Sequence, residues 1–222
     1  MPRHTTYVPH GVIPAVLLPF DNDLAIDEAG FRKHLRDVAA TEGLSAITIN
    51  AHSTEVASCT FDEQKRVLDI AQDEIGTRLP LINGIWADGS IEAARLARMA
   101  AHGGASALLV FPPAPFTLGQ SPAMALAHVK RIADATDLPL IVFQYPLATG
   151  QGYPKDTLLK MCEDVPSIRA IKDWIGNVPI TSGTSARCKI CRGRSTCSPR
   201  TVHGCSPRWC LVAMVCCPAQ AA

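Results

Sequence analysis

The sequence contains no run of about 18 apolar residues, the length that a membrane-spanning helix requires. Its first residues, MPRHTTYVPHG, also lack the apolar segment of a secretory signal peptide. Aromatic residues make up only 5% of the 222 residues, although 47% of the chain is apolar. We therefore expect a cytoplasmic α/β protein with one sizeable core and no association with membranes.

Acidic residues are absent from residues 181–222, which carry six basic residues, whereas residues 1–180 hold 15 basic and 20 acidic ones. Cysteine is distributed in the same uneven way, because seven of the nine cysteines lie between Cys188 and Cys217. The composition thus divides the chain into a body, residues 1–175, and an irregular tail, residues 176–222. The six basic residues have no interleaved aromatics, so we do not expect the tail to bind nucleic acid.

The tail shows no clear helix or strand period beyond the short run WCLVAMVCC. Cys188 and Cys191 form a CxxC, and possible further zinc ligands are Cys197, His203, Cys205 and Cys210. The CxxC does not repeat, so we expect no metal, and a disulfide framework is disfavoured because the body shows no secretory route. The favoured hypothesis is that a frameshift in a GC-rich gene produced this Arg/Cys/Ser/Pro-rich stretch.

The body alternates apolar strands with amphipathic helices. Six strands are predicted, at 11–20, 44–50, 79–84, 105–111, 138–146 and 167–172. Five helices lie between them, at 28–40, 61–76, 88–102, 122–135 and 153–164. Continuous apolar strands that alternate with helices indicate a parallel sheet with its faces covered.

Two architectures fit this alternation: an open doubly wound sheet and a TIM (β/α)8-type barrel. No GxGxxG follows the first strand, which disfavours a dinucleotide-binding sheet. A complete barrel needs about 250 residues. The pattern therefore predicts a barrel that stops after about six βα units.

Lys172 stands at the end of the strand SIRAIK, whereas the lysines before it lie in helical stretches that reach water. Burial at the mouth of a barrel lowers the pKa of an amine from about 10.4 toward about 7 to 8, where it attacks ketones. The residues alone leave two interpretations open: a Schiff-base lysine, or a strand-end lysine exposed at the rim.

Four motifs fall at strand ends: Pro19-Phe20, AHSTE (51–55), FQYPLATG (143–150) and AIKDW (170–174). Through these four motifs, residues 11–174 resemble the family of dihydrodipicolinate synthase and N-acetylneuraminate lyase, which are class I aldolases. The resemblance implies that Lys172 forms a Schiff base with a 2-oxo acid such as pyruvate. It also implies that Ser53 and Thr54 bind the carboxylate of that acid. The alternative for these two hydroxyls is capping of the helix that begins near Phe61.

Three positions depart from the family pattern. His52 occupies the first hydroxyl position of the loop, Phe143 occupies the position of the catalytic tyrosine, and Ala148 replaces an arginine that dihydrodipicolinate synthases use. Tyr145 lies two residues after Phe143, hence on the same face of the strand, and is predicted to substitute for the missing hydroxyl. Phe143 itself is expected to contact the substrate.

The resemblance implies a lyase or aldolase that needs no metal or organic cofactor and assembles as a homo-oligomer, with a tetramer as the family's usual form. The loss of the arginine at position 148 argues against the dihydrodipicolinate reaction itself. The alternative is a catalytically inactive, truncated family member whose tail arises from a frameshift.

Overall fold

The computed structural model describes residues 4–174 and the backbone of residues 210–211. Five α-helices lie within the first range, and each matches one predicted from the apolar period. They are α1 (Glu28–Ala39), α2 (Phe61–Ile75), α3 (Ser90–His102), α4 (Pro122–Ala133) and α5 (Lys155–Asp164). The zinc and frameshift hypotheses concern residues that lie outside the described ones, apart from the backbone of Cys210 and Leu211.

The strands form one parallel sheet in which chain order and spatial order coincide. They are β1 (Ile47–Ile49), β2 (Leu81–Ile85), β3 (Ala107–Val110), β4 (Leu140–Gln144), β5 (Ile168–Asp173) and β6 (Cys210–Leu211). Every residue of β1 to β4 is buried, as continuous apolar runs predict. The tail run WCLVAMVCC supplies β6, whose backbone pairs with that of β5 at Ala170 and Ile171.

The first predicted strand is not regular in the structure. Residues 11–20 form three isolated bridges: Val12 with Leu44 and Ala15 with Thr48 are parallel, and Phe20 with Ile26 is antiparallel. Pro14 lies between the two parallel bridges and has no N–H to donate to a ladder. The segment still runs beside β1, since the Thr48 N–H donates to the Pro14 carbonyl at 2.8 Å and the Val16 N–H donates to the Thr48 carbonyl at 3.1 Å. It therefore takes the place of the first strand without forming a regular one.

All five helices pack on one face of the sheet. The larger apolar cluster joins helix residues such as Phe31, Val67 and Val129 to the side chains on that face. The smaller cluster lies on the opposite face and, within the described residues, consists of strand and loop residues such as Ile13, Leu109 and Phe143. A doubly wound sheet carries helices on both faces. The arrangement is that of a barrel wall, with helices outside and a strand-lined interior.

Candidate active site

A cavity of about 270 Å³ lies at the C-terminal ends of the strands, the end at which barrel enzymes keep their active sites. It is lined by Ala15, Ala51, His52, Ser53, Phe143, Tyr145, Lys172 and Trp174. Four of the five predicted site residues, Lys172, Tyr145, Ser53 and Phe143, are therefore brought together. The small volume suits a compact substrate rather than a drug-sized one.

Lys172 is buried, with 5% of its surface exposed, and lies near the C-terminal end of β5. Its neighbour on β4 is Phe143, which occupies the paired register position. The Nζ atom lies 4.8 Å from the centroid of the Phe143 ring, within the range of a cation–π contact. The interpretation of Lys172 as a lysine exposed at the rim is therefore wrong.

Ser53 lies in the 3₁₀ turn His52–Thr54, which directly follows β1 and the bend at Asn50 and Ala51. Its Oγ is buried and has no hydrogen-bond partner among the residues that the structure describes. A buried hydroxyl without a partner is costly and is uncommon in folded proteins. Its location in the wall of the cavity makes it suited to bind a ligand.

Thr54 is fully buried, but it is not among the residues that line the cavity. Its hydroxyl accepts from the Ala51 N–H at 3.3 Å and donates to the Val16 carbonyl at 3.0 Å. It thus fastens the turn to the segment beside β1, which the sequence alone did not reveal. The capping alternative is also wrong, because Thr60 caps α2 by accepting from the Glu63 N–H.

Tyr145 follows β4 and faces the cavity together with Phe143, as the period of two predicts. The centroids of the two rings are 4.7 Å apart. The Tyr145 hydroxyl forms a hydrogen bond with Nε2 of His52. Burial raises the pKa of Tyr145 well above its usual range, so the phenol is protonated at neutral pH.

His52 is surrounded by aromatic rings, and ring centroids within 5.7 Å belong to Trp86, Phe111, Phe143 and Tyr145. Burial among them, and then the positive charge of Lys172, lower the pKa of His52 to about 4. His52 is therefore neutral at physiological pH. In the sequence His52 stands out only as a departure from the family pattern, and no sequence signal indicates its bond to Tyr145, which lies 93 positions away.

The stability of the protein is expected to fall as the pH decreases from about 6.5 to about 4. Burial also lowers the pKa of His128 to about 4, and its Nδ1 lies 2.9 Å from the Ser90 Oγ. Below about pH 6.5 the unfolded chain binds protons at both histidines while the folded chain does not, so acid favours unfolding. The loss is about 3 kcal/mol for His128 and less for half-buried His52, which solvent screens.

Urea unfolding at a series of pH values measures this loss. The matched variant is His128→Asn, whose amide can replace the Nδ1 contact to Ser90 but does not titrate. Its stability should depend less steeply on pH between about 6.5 and 4. Equal slopes for the variant and the parent in that window would contradict the assignment to His128.

Among the described residues, no group of three or more His, Cys, Asp or Glu side chains is placed to hold a metal ion. The helices in this part of the chain are all too short or too polar to cross a membrane. The chemistry available in the cavity therefore rests on one amine, one free hydroxyl and the His52–Tyr145 pair.

Comparison with known proteins assigns this architecture to a family. The sequence model of the "Dihydrodipicolinate synthetase family" matches residues 8–197, a range that extends past residue 175. The chain is 34% identical over 168 residues to 4-hydroxy-tetrahydrodipicolinate synthase of Salinibacter ruber, covering 76% of this chain and 55% of that protein. For the enzyme of the same name from Methanosarcina acetivorans the identity is 33%, with 76% and 56% covered. The chain thus spans about half the length of the curated relatives that it matches.

Solved structures agree on the fold. Dihydrodipicolinate synthase from Thermotoga maritima superposes with a TM-score of 0.75 at 22% identity, covering 84% of this chain and 62% of that one. A prophage protein of the same family from E. coli K12, solved in complex with pyruvate, gives a TM-score of 0.73 at 24% identity, with 80% and 58% covered. These likenesses confirm the predicted barrel-type α/β fold. Together with the matched sequence range, they establish that the chain belongs to the dihydrodipicolinate synthetase family.

Proposed function

We propose that the protein is a lyase or aldolase that forms an imine between Lys172 and a small 2-oxo acid such as pyruvate. The observation that carries the proposal is the enclosure of the Lys172 amine and the unpartnered Ser53 hydroxyl in one small cavity at the strand ends. A nucleophile and an anchor for the substrate are the two groups that imine formation with a keto acid requires.

The proposed chemistry begins with attack of the neutral Lys172 amine on the keto carbon. Loss of water then gives a protonated imine, which withdraws electrons from the neighbouring carbon and permits a C–C or C–O bond there to break or form. Ser53 donates a hydrogen bond to the carboxylate, and Thr54 supports it by holding the turn in place. Because the imine is itself the electron sink, the reaction needs no metal or organic cofactor.

The charged groups in the cavity lining also restrict which substrates the proposed reaction can use. Among the described residues that line the cavity, Lys172 is the only lysine or arginine, and His52 is neutral at physiological pH. Ala148, on the loop after β4, cannot pair with a second carboxylate as an arginine does. We therefore propose that the 2-oxo acid enters a reaction other than the dihydrodipicolinate reaction, whose second substrate an arginine at this position would bind through its carboxylate. The homo-oligomer that the resemblance implies stays a prediction.

Borohydride trapping tests the proposal, because borohydride reduces an imine to a stable secondary amine. We expect incubation of the full chain with pyruvate and borohydride to modify the peptide that contains Lys172, as measured by mass spectrometry. The Ser53→Ala variant should give the same adduct but require a higher pyruvate concentration, since its carboxylate anchor is missing. Soluble, cooperatively folded protein without an adduct at Lys172 would contradict the proposal.

A second candidate is a family member that retains the fold without the chemistry. It is favoured by Phe143, which provides no hydroxyl at the position where the family carries its catalytic tyrosine. The same trapping experiment separates the two, because an inactive protein yields no modified Lys172 peptide.

A further inference from the structure

We propose that Tyr145 and His52 form the acid–base pair of this site: Tyr145 exchanges a proton with the carbon next to the imine, and His52 stores that proton. The inference rests on the proposed imine at Lys172. It assigns a chemical task to a histidine that the family pattern does not contain and to a tyrosine outside the catalytic position.

The first support is the placement of the two side chains. His52 comes from the turn after β1 and Tyr145 from the end of β4, so 93 positions separate them in the sequence. They nevertheless share a hydrogen bond, and both line the cavity that holds Lys172. A donor and acceptor in contact with each other and with the substrate space are what proton transfer in an active site requires.

The protonation states fit the same assignment. The buried phenol of Tyr145 is protonated and His52 is neutral at physiological pH. We assign Nε2 of His52 as the acceptor of the Tyr145 proton, which leaves the ring proton on Nδ1. The imidazole thus has the lone pair that a terminal base needs.

The proposed step begins from the protonated imine of pyruvate on Lys172. A C–H bond of the methyl carbon breaks, its electron pair forms the C=C bond of an enamine, and the C=N electrons move to nitrogen. The Tyr145 oxygen takes the proton from carbon while its own proton passes to Nε2 of His52. The positive charge therefore moves from the imine to the imidazole, and both protons are accounted for.

The surroundings of His52 favour this transfer. The positive charge of Lys172 is one of the two causes that hold His52 in its neutral form. That charge disappears when the enamine forms, so the imidazole becomes a stronger base as the proton reaches it. The rings of Trp86, Phe111 and Phe143 enclose the imidazole, which limits the access of water to the stored proton.

The test measures by NMR how fast the methyl protons of pyruvate exchange in deuterated water. Borohydride trapping is carried out on the same samples. In the His52→Gln variant the amide can keep the hydrogen bond to Tyr145 but cannot act as a base. In the Tyr145→Phe variant the ring stays while the hydroxyl is lost. Both variants should still be trapped at Lys172, whereas exchange should slow by at least about 100-fold. His128→Asn, which removes a buried histidine outside the cavity, should exchange as the parent does.

The outcomes distinguish failure of the acid–base assignment from failure of the proposed imine at Lys172. Trapping with undiminished exchange in His52→Gln or Tyr145→Phe would overturn the acid–base assignment and leave the imine intact. Trapping of the parent without measurable exchange would also overturn the assignment. Absence of trapping in the parent would refute the proposed function, and the acid–base pair with it.

Discussion

Substitution of Lys172 by methionine is expected to abolish borohydride trapping completely while the fold survives. Methionine has nearly the same length as lysine but carries no amine, so it cannot form an imine. Because Lys172 is only 5% exposed, an unbranched apolar side chain of similar length fits the space that it occupies. We expect the free energy of unfolding to change by no more than about 1.5 kcal/mol, as for volume-conserving replacements in a core. Peptide mass spectrometry and urea unfolding measure the two effects.

The matched control is Lys160→Met, in the last turns of α5. Lys160 has 61% of its side chain exposed and pairs with Asp164 at 3.0 Å. Its loss should leave trapping unchanged and cost no more than about 0.5 kcal/mol. If Lys172→Met were still trapped at another lysine, Lys172 would not be the nucleophile. If it lost several kcal/mol of stability, Lys172 would have a structural role.

Substitution of Gly84 by alanine is expected to destabilise the protein by about 3 kcal/mol or more. A Cβ atom at this position of β2 would lie 1.8 Å from the carbonyl oxygen of Asn50 and 3.2 Å from the Phe111 ring. Asn50 is held in a left-handed conformation at the end of β1, with φ of 49°, and its side chain donates to Asn83 at 2.8 Å. The obstacle is therefore backbone that cannot move aside without separating two paired strands.

Urea unfolding of the Gly84→Ala variant, compared with the Gly89→Ala variant as the matched control, measures this loss of stability. An alanine Cβ at Gly89 meets no atom within 4 Å, although the residue is the N-cap of α3. We expect that variant to lose at most about 1 kcal/mol, the cost of a weaker cap. Similar losses in both variants would mean that the contact with Asn50 does not set the cost at Gly84, since alanine by itself lowers the entropy of the unfolded chain and favours folding.

The helices were predictable because each places its apolar side chains with a period near 3.6. The prediction for α1 gave 28–40 and that for α2 gave 61–76, and both helices end one residue earlier. The first strand was harder, since residues 11–20 are as apolar as the other strands. Apolar content does not reveal that Pro14 breaks the hydrogen-bond ladder while the segment keeps its place.

Part of the candidate site could be predicted from the sequence, namely the residues whose placement depends on one strand alone. The resemblance to the family pointed to Lys172 near the end of a buried strand, and the period of two placed Tyr145 on the strand face of Phe143. The bond between His52 and Tyr145 needed the relative positions of β1 and β4, which a sequence does not provide. The same holds for Thr54, whose hydroxyl reaches the Val16 carbonyl across the space between two segments.

The coincidence of chain order and spatial order in the sheet also bears on how the protein forms during synthesis. From β1 to β5, paired residues are only 25 to 34 positions apart. Each strand can therefore dock as soon as the next helix and strand have left the ribosome, with little loop entropy to overcome at any one step. We therefore expect the barrel wall to assemble from its amino-terminal units onward while the chain is being synthesised.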